Sequence, residues 1–70
     1  MDSLPVAVVV EVARSEGADV SLHDGWLTIV PEGGDARVYD ARSGEIRGRV
    51  VGQIAARMKI RPGKFWQEVN

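Results

Sequence analysis

Cysteine is absent from this 70-residue chain, and histidine occurs once, as His23. Without thiols there is neither a disulfide framework nor a thiolate metal site. A metal centre would have to be built from carboxylates, and no spacing of Asp and Glu points to one, so no cofactor is expected. His23 flanks a tight turn and reads as a solvated strand-end residue rather than a general base. Ser3, Ser15, Ser21 and Ser43 have no base near them in sequence. Neither "GRVVGQ" nor "EGGD" is a phosphate-cradling loop, because no Gly-rich turn with a matching lysine joins a strand to a helix. A non-enzymatic protein is expected. Of catalytic classes, the main alternative is an RNase relying on Arg, Lys or His23.

Long apolar runs are missing too. The most apolar stretch, "LPVAVVVEVA", is interrupted by Glu11 and falls well short of the ~20 residues of a membrane span. It also lacks a basic leading segment, so it is neither a signal peptide nor an anchor. The expectation is a soluble, cytoplasmic protein.

What is present fits one small α+β domain spanning residues 1–70. So short a chain lies near the lower limit for a self-sufficient apolar core, and a homodimer is one way to bury more surface. The net charge of −1 conceals a division between the halves. Asp2, Glu11, Glu16, Asp19, Asp24, Glu32 and Asp35 face only Arg14 in residues 1–36. From residue 37 onward, Arg37, Arg42, Arg47, Arg49, Arg57, Lys59, Arg61 and Lys64 outnumber Asp40, Glu45 and Glu68. Such a split means either mutual attraction within the fold or dimer, or a basic face for phosphates or an acidic partner.

The first segment supports two patterns. Val6, Val8, Val10 and Val12 alternate as in a strand, whereas Glu11, Arg14 and Ser15 form a polar helical stripe opposite Leu4, Val8, Val9 and Val12. Ser3 as cap, Pro5 in the first turn and Gly17 just past the end favour a helix over 4–16. Asp24-Gly25 then predicts a two-residue β-hairpin over 18–30, with Pro31 closing its second strand. The alternation around Tyr39 predicts a third strand near 36–41. Ser43-Gly44 offers a second hairpin turn, with Arg42 and Glu45 facing across it and a short return near 46–48. Val50, Val51, Ile54, Ala55 and Met58 lie opposite Arg49, Gln53 and Arg57, which predicts a helix over 49–60, ended by Pro62, and then a short final helical turn.

Residues 11–34, "EVARSEGADVSLHDGWLTIVPEGG", resemble the N-terminal docking domain of the TubC type, found at the front of some nonribosomal peptide and polyketide synthase subunits. Gly17, Val20, Leu22, Gly25, Leu27, Ile29, Pro31 and Gly33 carry the resemblance. It implies a homodimeric α/β module that captures the tail of an upstream enzyme beside the second hairpin strand, by β-augmentation. This chain departs from the family after Gly34 by inserting "DARVYDARSGEIRG", and a strand at 36–41 paired with 26–30 would fill that edge. The C-terminal "IAARMKIRPGKFWQEV" resembles a helix-turn-helix, with Ile54, Ala55 and Met58 on a first helix and Phe65 and Val69 on a second. That resemblance implies that Arg61, Lys64 and Gln67 face DNA.

These readings converge on a non-enzymatic protein-interaction module, either a docking adaptor or a small phage-type inhibitor of a host protein. The candidate partner-binding residues are Trp26, Thr28, Arg37, Tyr39, Arg57, Lys64 and Trp66. Phe65 is expected in the core, and Trp66, its neighbour, at a contact surface. The alternative is a small nucleic-acid-binding regulator using the basic second half. The element order α-β-β-β-α would also suit double-stranded RNA, but no basic loop-to-helix motif accompanies it.

Overall fold

The computed structural model describes residues 2–67. Its elements run β1 (Ser3–Pro5), α1 (Val6–Ser15), β2 (Asp19–His23), β3 (Trp26–Val30), β4 (Arg37–Asp40), β5 (Glu45–Arg47), α2 (Gly48–Met58) and α3 (Gly63–Gln67). The class is α+β, as expected, but the strands divide into two antiparallel sheets, β2-β3-β4 and β1-β5. Val69, assigned by sequence to a second helix of a helix-turn-helix, lies outside the described residues.

The valine-rich segment is a helix, against the strand preference of its β-branched residues. Burial decides the matter: Val6, Val9, Val12 and Ala13 share one helical face and are all buried. The helix begins later than the predicted residue 4. Leu4 pairs with Ile46 in β1–β5, and Pro5 becomes the cap, without any side-chain cap bond from Ser3. The Ser3 hydroxyl instead donates to Glu45, and the Val6 N–H donates to the Gly44 carbonyl at 3.0 Å. At the other end Gly17 is left-handed, Ala18 N–H reaches Ala13 O and Gly17 N–H reaches Arg14 O, the paired bonds of a Schellman stop.

The β2–β3 hairpin closes on Asp24 and Gly25 with φ of 52° and 81°, the two positive values that a primed turn requires. Beyond it, β4 pairs with β3, setting Thr28 opposite Val38 and Ile29 opposite Arg37. The predicted second hairpin at Ser43-Gly44 does not form. β5 turns away from β4 and pairs with β1, because Ile46 buries itself beside Leu4. Arg42, expected to face Glu45, bonds to Asp40 instead.

α2 also stops short of the predicted residue 60. Lys59 adopts left-handed geometry (φ 60°) directly after Met58, and Ile60 N–H reaches Ala55 O while Lys59 N–H reaches Ala56 O. A second Schellman stop therefore ends the helix before Pro62 acts. The core gathers Leu4 and Val9, the inward residues Leu27 and Ile29 of β3, then Ile46, Val51, Ile54 and Phe65. Phe65 is fully buried, as expected.

Candidate docking edge and groove

Cross-strand pairing sorts the sheet into two faces. Val20, Leu22, Leu27, Ile29, Arg37 and Tyr39 share the inner face, since directly opposed residues point the same way. Trp26, Thr28 and Val38 share the outer one.

β3 is the central strand, so the edge that the docking-domain resemblance assigns to a partner is filled by β4. The open edge has moved one strand outward. Ala41 N–H donates to Gly25 O at 2.7 Å, which fixes the phase of the ladder. Stepping back two residues on β4 and forward two on β3, the hydrogen-bonded pairs are Leu27–Tyr39 and Ile29–Arg37. The N–H and C=O groups of Val38 and Asp40 therefore point off the sheet. No strand among the described residues meets them.

This edge overlooks a groove whose far wall is α2. One part of it, about 760 Å³, is lined by Val38, Tyr39, Arg47, Val50 and Gln53 among others. The adjoining part brings Arg37, Tyr39 and Arg57 together around Val38, Gln53 and Ala56. Val50, Gln53 and Arg57 recur at helical spacing on α2, which is why one face of that helix serves as the wall. Three of the seven sequence-predicted contact residues thus meet in one place.

The other four are scattered. Trp26 and Thr28 lie on the opposite face of the sheet. Trp26 is 43% exposed, with the Arg42 guanidinium 4.8 Å from its ring centre in a cation–π stack. Lys64 is held at 3.0 Å by Glu16. Trp66 is half-buried against the core, beside α2's first residue, Gly48. His23 is at the surface next to Asp24, as a strand-end residue should be.

Sequence reading missed Val38, 60% exposed, along with Arg47, Val50 and Gln53 as groove residues. The alternation that found Tyr39 could have flagged Val38, whereas Arg47 and Val50 depend on the unforeseen β1–β5 pairing.

The electrostatics of the groove follow from which charges are already satisfied. Asp40 accepts from Arg42 Nη2 (2.8 Å), Nε (3.0 Å) and backbone N–H (3.1 Å). The side-chain bonds first, then the backbone N–H, pull its carboxyl down to a pKa of about 2, and Arg42 is raised in return. Among the described residues Arg37, Arg47 and Arg57 have no acidic partner. No group of three His, Asp or Glu side chains there is placed to share a metal ion.

A second surface lies between α1 and β2. Val6, Ala7 and Val10 line it with Leu22, which is 53% exposed on the inner face, and Glu11 and Arg14 stand at its rim. Arg14 Nη2 reaches Val20 O at 3.2 Å and so covers part of the free β2 edge. No helix of the described residues is long and apolar enough to cross a membrane. No family model, no curated protein and no solved structure matches the chain.

Proposed function

We propose that this chain is a non-enzymatic protein-interaction module, cytoplasmic in setting, that captures an extended peptide as an added strand on the free edge of β4. The observation that carries the reading is the row of outward N–H and C=O groups at Val38 and Asp40, set beside a groove in which Tyr39, Ile46 and Val50 alternate with charged and polar side chains. Backbone pairing supplies affinity in such a mode, and the groove reads alternate side chains. The nucleic-acid alternative has less support. α3 spans Gly63–Gln67 among the described residues, and its Lys64 is engaged by Glu16.

The module is also proposed to pair with a second copy through Ala7, Val10 and Leu22. One acid and one base on the rim make that patch self-complementary, since Glu11 of each copy can meet Arg14 of the other about a two-fold axis.

A random-peptide display selection on the immobilised chain tests the strand-addition reading. Val38→Pro removes the outward donor but spares the β3 ladder, a position where edge strands tolerate proline. Enriched peptides should alternate in character and lose binding to Val38→Pro, whose circular dichroism should match the parent. Enrichment of helix-period sequences, or binding indifferent to Val38→Pro, would refute the reading.

A further inference from the structure

We infer that the captured strand is acidic on one face: an extended peptide with carboxylates at alternate positions, held by Arg37, Arg57 and Arg47. The inference rests on the strand-addition reading. A strand added to β4 sends every second side chain to the face of Arg37 and Tyr39, between β4 and α2. There it meets Arg37 from one wall and Arg57 from the other, with Arg47 further along the groove.

Of the two acids at the groove, Asp40 is neutralised by Arg42, whereas Glu45 accepts from the Ser3 hydroxyl and keeps its charge, so three arginines stand against one carboxylate. The three remaining arginines lack partners among the described residues, and their planar forks match carboxylate geometry. β4 is about 13 Å long at 3.3 Å per residue, so about four peptide residues cover the edge.

Carboxylate is favoured over phosphodiester by the edge itself. Val38 and Asp40 present carbonyls as well as N–H groups, and a peptide backbone answers both. Phosphodiester oxygens only accept, so the two carbonyls would stay unmatched under a nucleic-acid backbone. The inserted segment that departs from the docking-domain pattern supplies Arg37, Val38, Tyr39 and Arg47, so the site belongs to this chain's own architecture.

The test uses fluorescence anisotropy with labelled octapeptides in which Glu, Ser or Lys alternates with Val and Thr, plus an eight-nucleotide single-stranded DNA. Each probe is titrated against the full chain, Val38→Pro and the double variant Arg37→Glu/Arg57→Glu. The acidic peptide should bind at least about tenfold tighter than the Ser peptide, and the Lys peptide weakest. The double variant should reverse that order, and Val38→Pro should abolish binding of every peptide.

Equal binding of acidic and Ser peptides, both lost in Val38→Pro, overturns the charge inference and leaves strand addition standing. Acidic binding unaffected by Val38→Pro overturns strand addition and the inference with it. Tighter binding of DNA than of the acidic peptide assigns the arginines to phosphate and overturns it as well. So does absence of binding by every probe up to about 1 mM, a concentration at which even weak specific docking registers.

Discussion

Removing the Phe65 ring should be the most damaging single truncation in the C-terminal half. The ring is completely buried, and it is the only aromatic side chain among the fully buried ones. Phe→Ala substitutions in cores cost about 3–5 kcal/mol, the lower figure applying where neighbours relax into the gap. Phe65 is the one buried residue that α3 supplies among the described residues, so the lower figure is taken and the expected loss is about 3 kcal/mol. A domain of this size has roughly 4–10 kcal/mol in all. The variant should therefore remain folded at 25 °C with its urea midpoint lowered by about 2–3 M, taking a slope slightly above 1 kcal/mol/M.

Fluorescence of Trp26 and Trp66, one on the sheet and one against α2, can follow the transition from two places. Coincident curves would justify the two-state treatment. Trp66→Ala, at a half-buried ring, should cost about half as much. Loss below about 1 kcal/mol for Phe65→Ala would refute the packing argument. Equal and severe loss in both variants would show that Trp66 also belongs to the lid of the core and is not a contact residue.

Lys59→Gly should stabilise the chain by about 1 kcal/mol, because glycine takes the left-handed φ of 60° without steric cost; a lowered urea midpoint contradicts this. Asp40 has a folded-state pKa of about 2 against an ordinary 3.8, so its bond to Arg42 stabilises above pH 3.8 and is lost as pH falls toward 2. Asp40→Asn should flatten that part of the pH–midpoint profile, and an unchanged acid slope argues against the pairing. Sedimentation equilibrium should show association above 7.6 kDa that Val10→Glu and Leu22→Glu each abolish; a parent chain that stays monomeric at every concentration eliminates the α1–β2 interface.

What could be foreseen from sequence was local. Asp24-Gly25 specified the hairpin because its turn geometry has few other solutions, and the Arg49–Gln53–Arg57 stripe specified α2 because its opposite face is apolar. The start of α1 was misplaced because Leu4 is claimed by Ile46, far along the chain, and local preference carries no record of that claim. The same pairing explains the error at Ser43-Gly44. Ser43-Gly44 was read as a hairpin turn; Gly44 does take a positive φ, but where the turn delivers the chain depended on burial, not on the turn. Lys59 was overlooked as a stop signal because a lysine, unlike glycine, gives no composition cue for positive φ. Of the candidate site, Arg37, Tyr39 and Arg57 were legible one by one, but their meeting depends on how α2 lies beside β4.

The β1–β5 pairing bears on how the chain acquires its structure in time. Ser3 and Arg47 are partnered, Gly44 O receives the first N–H of α1, and Asp2 O receives the first N–H of α2 at 2.6 Å. Both helices are thus started by a contact with the opposite end of one long loop. The hairpin needs only neighbours and can form within microseconds, but it leaves its inner face uncovered. α1 covers part of that face from nearby in sequence, but Leu4 and Ile46 meet only by closing more than forty residues, and the entropy of that closure is recovered only when they enter the core together. The expected consequence is cooperative folding, with α1 and α2 completed only after the two ends of that loop have met.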